Sequence, residues 1–110
     1  MRRGDIAIVS ASGDYGKPRP AVVVQSDYLT DAGLDSVIVC LISSNVETTP
    51  AFRVTLEPNS ENGLESSSQI MVDKLLTVRG ARVGKVVGKL DDETLLRLNR
   101  TLAFVVGLAE

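Results

Sequence analysis

The chain has no histidine, one cysteine and no tryptophan, and these absences exclude several kinds of functional site. Without histidine there is no Ser-His or Cys-His nucleophile system, and the commonest general base and metal ligand are missing. The single Cys40 cannot form an internal disulfide, and its place in the apolar run 37–42 predicts a small core residue. Because the 14 acidic residues are scattered along the chain, we expect no metal and no other cofactor.

Long hydrophobic runs and aromatic residues are also scarce. No apolar run approaches the roughly 18 residues that span a bilayer, and the N-terminus lacks the apolar segment of a signal peptide. We therefore expect a cytoplasmic protein that does not bind membranes. A length of 110 residues fits a single domain, 1–110, and 44% hydrophobic but 4% aromatic residues predict a core of Val, Ile and Leu.

Positive charge is concentrated in one segment of an acidic chain. The net charge is −2, which argues against a protein that coats nucleic acid non-specifically. Between residues 74 and 89, however, no acid interrupts a series of five basic residues: Lys74, Arg79, Arg82, Lys85 and Lys89. This series predicts either a local positive surface or a pair of strands with solvated basic faces.

Hydrophobic periodicity predicts a mainly β protein that ends in a helix. The predicted strands are 5–11, 19–26, 36–43, 51–57, 68–73 and 81–90, and the segments 28–35 and 58–67 are predicted as turns and loops. Asp91 is a suitable N-cap for the final helix, in which Leu95, Leu98 and Leu102 recur at helical spacing. The pattern is typical of a small, mainly antiparallel barrel closed by a C-terminal helix.

The segment 3–27 carries the clearest functional signal. It joins the apolar runs 6–9 and 21–24 through a loop, 10–17, after which Pro18 and Pro20 flank Arg19. Proline fixes its own φ angle and pushes the preceding residue toward extended conformations, so Arg19 should have little backbone freedom. A rigid cation beside a polar loop suits phosphate binding. The same residues also fit a strand opening at a barrel rim with a solvated arginine.

Four blocks of the sequence stand out: RGDIAIV, GKPRPAVVVQSD, VIVCLISSN and SQIMVDKLLTV. In this order and spacing they resemble the MazF/PemK family of toxin endoribonucleases. The resemblance covers nearly the whole chain, including the final helix after KLDDETL. It implies an SH3-like barrel of the CcdB/MazF type, a homodimer, and the toxin of a type II toxin-antitoxin system that cuts single-stranded RNA without metal. It also implies a MazE-like antitoxin partner whose extended acidic tail occupies the RNA site.

The resemblance also implies a set of catalytic residues around Arg19. Arg19 falls on the family's catalytic arginine, Ser43 falls where many members have a catalytic threonine, and Asp14 falls near a glutamate proposed as base. Asp73 corresponds to an aspartate that some relatives use, but the arginine two positions earlier in those relatives is Met71 here. The predicted substrate-binding residues are Lys17, Ser44, Asn45, Asp73 and Lys74.

The implied reaction is attack by the ribose 2′-hydroxyl, which leaves 2′,3′-cyclic phosphate and 5′-hydroxyl ends. Arg19 suits the charge that develops on the phosphate better than proton donation, because a guanidinium does not give up its proton in proteins. Asp14 is either the base or a loop carboxylate that shapes a turn, and Asp73 is either catalytic or a strand-end carboxylate paired with Lys74 or a backbone amide. Two other functions remain open: a CcdB-like toxin that binds a topoisomerase, and a catalytically inactive barrel that serves as a binding module.

Overall fold

The computed structural model describes residues 1–10, 17–48 and 51–109. In chain order the described elements are β1 Asp5–Val9, β2 Arg19–Val23, α1 Asp27–Asp31, β3 Ser36–Ser43, β4 Arg53–Leu56, β5 Ser68–Arg79, β6 Val83–Lys89 and α2 Asp92–Val105. A single 3-10 turn, Gly80–Arg82, connects β5 to β6. The prediction of a mainly β chain with a C-terminal helix is therefore confirmed.

The strands form one antiparallel sheet in the order β4-β5-β3-β2-β1-β6. Across the residues that the structure describes, the edge strands β4 and β6 do not pair, so the sheet itself is not closed. The segment after β4 nevertheless reaches the opposite edge, where the Lys89 amide donates a hydrogen bond to the Glu61 carbonyl over 3.0 Å. This connection makes the fold barrel-like, as predicted.

Apolar side chains fill both faces of the sheet. The larger cluster includes Ile6, Val22 and Cys40 and receives Leu98 from α2, while the smaller cluster includes Val9 and Val39. Because successive side chains on a strand point to opposite faces, Arg19 shares its face with Ala21 and Val23 of the smaller cluster. Both clusters are aliphatic, which is the core that the composition predicts.

The C-terminal helix begins where the sequence predicts. Asp91 is the N-cap of α2, and its Oδ1 accepts a hydrogen bond from the Thr94 amide over 2.8 Å. Hydrogen bonding by the Thr94 side chain, together with that amide bond, lowers the pKa of the Asp91 carboxyl. Asp92 and Glu93 add negative charge to the first turn, where the helix dipole favours it. Leu98 is fully buried against the sheet. Within the described ranges, no helix is long and apolar enough to cross a membrane.

The structure corrects two predictions, the end of one strand and the absence of a helix in one loop. Strand β5 continues to Arg79 instead of ending at residue 73, because after a shift in register its second half pairs with the first half of β3, with Leu76 opposite Val39. The predicted loop 28–35 overlaps a short helix, α1, whose N-cap Ser26 accepts a hydrogen bond from the Leu29 amide. The other strands end within a few residues of their predicted limits.

The buried thiol of Cys40 allows the packing of the larger apolar cluster to be tested. Cys40 is fully buried in the larger cluster, and burial raises the pKa of its thiol to about 11. Because the thiolate is the reactive form, we expect the native protein not to react with a disulfide reagent such as DTNB at pH 8. In the same protein unfolded in guanidinium, the Cys40 thiol should react with one equivalent of DTNB. Equal reaction rates in the two states would contradict the packing of this cluster.

Candidate active site

Arg19 and Ser43 lie at the same end of the sheet on neighbouring strands. Arg19 is the first residue of β2 and Ser43 is the last residue of β3. These strands are antiparallel, and the outermost pair of their ladder is Ala21 with Leu41. Arg19 and Ser43 each stand two residues beyond that pair in the same direction, so both lie just past the same end of this ladder.

The backbone of Arg19 is held by the sheet. It pairs with Val9 of β1, and its side chain is half-buried. The KPRP sequence therefore does open a strand, and the same ladder restrains the backbone that carries the cation. A pairing of this kind gives the guanidinium a fixed point of attachment at the end of the sheet.

The Ser43 hydroxyl is oriented by the loop that follows it. Its Oγ accepts a hydrogen bond from the Asn45 amide over 3.0 Å. A hydroxyl that accepts in this way still has its own proton to donate, so Ser43 can hydrogen-bond a phosphate oxygen. Ser43 is half-buried, whereas the predicted substrate-binding residues Ser44 and Asn45 are exposed. These three residues therefore form a continuous polar segment at the end of β3.

Two polar residues that the sequence analysis does not single out lie behind this segment. Gln69 of β5 pairs with Ser43 in the β3–β5 ladder and with Thr55 in the β4–β5 ladder, and it is only 1% exposed. Its neighbour Arg53 has a side chain that is 10% exposed. One feature of the sequence points to Gln69: in SQIMV, a glutamine begins an apolar strand. A polar side chain buried there needs hydrogen-bond partners.

Asp73 and Lys74 are not placed opposite Ser43. They belong to the part of β5 where the register with β3 shifts, between the pairs Ile42–Ile70 and Cys40–Leu75. Both are exposed, and Lys74 Nζ lies 3.8 Å from Asp73 Oδ2. An exposed pair of this kind adds about 0–1 kcal/mol to stability. The contact fits the alternative in which Asp73 is paired with Lys74.

The loop before Arg19 contributes one described residue to the predicted site. Lys17 is exposed and stands two residues before Arg19. Asp14, the candidate base, lies outside the described residues, and its role stays a prediction. Arg82 lies on the other side of β1, where its Nη1 donates to the Ser10 carbonyl over 3.3 Å. Three cationic side chains thus lie near the ends of β1 and β2.

The basic residues of the segment 74–89 are all exposed: Lys74, Arg79, Arg82, Lys85 and Lys89. Their exposure fits both alternatives that the sequence leaves open, a local positive surface and solvated strand faces. A cavity of about 390 Å³ has walls that include Pro20, Ser44 and the apolar side chains of Ile8, Leu64 and Val87. Residues adjacent in sequence to Arg19 and Ser43 therefore line a partly apolar recess.

The fold and this polar strand end define a small, mainly antiparallel β-sheet protein with a cation and a hydroxyl at one end of its sheet. Residues 2–106 match the family described as the PemK-like, MazF-like toxin of type II toxin-antitoxin systems. The probable endoribonuclease MazF of Mycolicibacterium smegmatis is 36% identical to this chain over 110 residues, which cover 99% of each. The chain therefore belongs to the PemK/MazF toxin family, and the resemblance found in its sequence blocks is confirmed.

Solved structures share the fold at low sequence identity. Mycobacterium tuberculosis toxin MazF-mt6 has a TM-score of 0.82 and 22% identity, with 96% of this chain and 99% of that chain covered. An endoribonuclease in complex with its cognate antitoxin from a mycobacterial species has a TM-score of 0.82 and 18% identity, with 100% and 98% covered. The MazE-MazF complex of Deinococcus radiodurans has a TM-score of 0.76 and 18% identity, with 99% and 97% covered.

Proposed function

We propose that this toxin is a sequence-specific endoribonuclease that cuts single-stranded RNA, including mRNA, without a metal ion. Family membership and a relative named as a probable endoribonuclease support the activity. The observation that supports the site is that Arg19 and Ser43 both lie two residues past the same end of the β2–β3 ladder. One cation and one hydroxyl there can address two oxygens of the same phosphate.

The proposed reaction uses the RNA's own 2′-hydroxyl as nucleophile. A bond forms between O2′ and phosphorus while the bond from phosphorus to O5′ breaks, which leaves a 2′,3′-cyclic phosphate and a 5′-hydroxyl. Arg19 stabilises the additional negative charge on the phosphorane, and Ser43 donates a hydrogen bond to one of its oxygens. A base takes the 2′ proton, and Asp14 remains the proposed candidate. The departing O5′ must gain a proton.

Metal independence is supported by the residue types available. The sequence has no histidine and one cysteine, and that cysteine is buried in the core. Over residues 1–10, 17–48 and 51–109, no three Cys, Asp or Glu side chains gather in a way that could hold a metal ion. The transition-state charge would then be stabilised by the protein's own cation and hydrogen-bond donors.

We propose that the partners follow those of the related toxins. The similar structures include an endoribonuclease with its cognate antitoxin and MazE with MazF. By analogy this chain would form a homodimer and bind a MazE-like antitoxin whose extended acidic tail covers the RNA site. The exposed cations Lys17 and Arg82 near the ends of β1 and β2 would attract both an RNA backbone and an acidic tail.

Incubation of the purified protein with long, diverse RNAs tests this function. We expect cuts at one short sequence motif and no inhibition of a DNA topoisomerase assayed in parallel. Inhibition of the topoisomerase without RNA cleavage would favour the CcdB-like alternative. Neither activity, with the protein demonstrably folded, would favour the inactive binding module.

The Ser43 hydroxyl gives a more specific prediction. We expect Ser43→Ala to lower kcat by about 100-fold, which is the usual effect of removing one donor to a transition-state oxyanion. Ser36→Ala is a matched control, because Ser36 is a half-buried serine at the opposite end of the same strand. Steady-state cleavage of a fluorogenic RNA measures both variants. Equal kcat values for Ser43→Ala and Ser36→Ala would remove Ser43 from the mechanism.

A further inference from the structure

A buried amide holds the loop that follows Ser43. The Gln69 side chain bonds both backbone groups of Glu47: its Oε1 accepts from the Glu47 amide over 3.0 Å, and its Nε2 donates to the Glu47 carbonyl over 3.0 Å. Nε2 also lies 3.4 Å from Thr55 Oγ1. A side chain that bonds both the amide and the carbonyl of one residue fixes the position and the orientation of that peptide segment.

Arg53 holds the same loop from the next strand. Its Nη1 donates to the Asn45 carbonyl and to Gln69 Oε1, each over 3.2 Å, and its Nη2 lies 3.5 Å from Glu47 Oε1. The Arg53 Nε is buried without a hydrogen-bond partner among the described residues. The bond to the Asn45 carbonyl and the ion pair with Glu47 make Arg53 a second restraint on the loop.

These contacts restrain the loop residue whose amide donates a hydrogen bond to the Ser43 hydroxyl. Gln69 and Arg53 fix the backbone on both sides of residue 46, through Glu47 and through the Asn45 carbonyl. The Asn45 amide in turn donates to Ser43 Oγ. The rotamer of Ser43 is therefore linked, through the loop that follows it, to the largely buried side chains of Gln69 and Arg53.

We propose that Gln69 and Arg53 are positioning residues that set the orientation of the Ser43 hydroxyl for phosphate binding. The proposal rests on the endoribonuclease function given above. Glu47 is itself exposed, so water could satisfy its backbone groups if Gln69 were apolar. What the pair adds is a fixed geometry, and small displacements of a catalytic group cost up to about 100-fold in rate.

A double-mutant cycle tests this coupling. We expect Gln69→Leu to lower kcat by about 10- to 100-fold while KM changes by less than about twofold. In a Ser43→Ala background the same change should lower kcat by less than about twofold, because the group that Gln69 positions is already absent. Thr55→Val, which removes the weak contact to Gln69 but leaves the loop contacts in place, should keep kcat within about twofold of wild type.

Hydrogen exchange provides a readout that does not depend on activity. The amide of Glu47 bonds Gln69 directly and the amide of Asn45 bonds Ser43, so both should exchange faster in Gln69→Leu than in wild type or Thr55→Val. If Gln69→Leu has no cooperative unfolding transition, Gln69→Glu serves instead. A glutamate keeps the acceptor for the Glu47 amide but has no donor for the Glu47 carbonyl. Like Gln69→Leu, this variant should lower kcat and speed the exchange of the Asn45 and Glu47 amides.

The outcomes separate this proposal from the function on which it rests. A wild-type protein that cuts no RNA overturns the proposed function and the positioning role together. An active wild type, with Gln69→Leu causing equal losses in the wild-type and Ser43→Ala backgrounds, overturns the positioning role alone. Unchanged exchange at Asn45 and Glu47 in Gln69→Leu also overturns it, since the loop would then be ordered by other contacts.

Discussion

Arg19→Ala should lower the rate of RNA cleavage by about 10³- to 10⁵-fold, the range found when an arginine that stabilises a transferring phosphoryl group is removed. The side chain begins β2 beside the end of β3, where Ser43 stands. Folding should persist, because the backbone pairing with Val9 does not need the guanidinium. Single-turnover cleavage and a thermal unfolding midpoint measure the two effects separately.

Two further variants sharpen the Arg19 prediction. Arg19→Lys keeps the charge but not the planar fork, so its rate should lie between those of wild type and Arg19→Ala. Arg100→Ala removes an exposed arginine from α2 and should leave the rate unchanged. If Arg19→Ala retained cleavage within tenfold of wild type, the assignment of the phosphate site would be wrong.

A single 2′-deoxy substitution in the RNA should have an effect of similar size. If the 2′-hydroxyl on the 5′ side of the cut is the nucleophile, replacing it by hydrogen leaves no group to attack the phosphate. We expect no cleavage at the modified position and unchanged binding, because Arg19 and Ser43 address the phosphate and not the 2′ position. Gel analysis of matched oligonucleotides measures the cleavage.

The position of the substitution supplies the control. The same 2′-deoxy change one nucleotide further along should leave cleavage at the motif within a few fold, since that 2′-hydroxyl is not the nucleophile. Cutting at the modified nucleotide would show that another nucleophile, such as water, attacks the phosphate. The enzyme would then belong to a different mechanistic class, even with Arg19 in the site.

Local signals explain which parts of the fold the sequence could predict. Helix α2 has a capping aspartate, an acidic first turn and a buried Leu98, all of which operate within one element. The continuation of β5 to Arg79 depends instead on pairing with β3 after a shift in register, which is a tertiary effect. Helix α1 is five residues long, too short for a helical period to show in the sequence.

The residues of the candidate site also divide into those that the sequence predicts and those that depend on tertiary structure. Arg19 stands out because two prolines flank it, and the resemblance to the toxin family adds Ser43. The SQIMV pattern marks Gln69 as a polar residue that needs partners, but local pattern does not say which, because the partners of Gln69 and Arg53 on the 44–48 loop are 22 and 8 residues distant in sequence. Only the register of β3, β4 and β5 places them behind Ser43.

The measurement that tests the central claim most directly is the chemistry of the RNA ends produced in EDTA. The purified toxin and Arg19→Ala would each be incubated with one long single-stranded RNA, and the fragments probed for phosphorylation by a kinase and for cyclic phosphate. We expect 5′-hydroxyl and 2′,3′-cyclic phosphate ends at one short motif, produced by wild type and absent with Arg19→Ala. Cleavage that requires a divalent metal, or 5′-phosphate ends, would contradict the proposed mechanism.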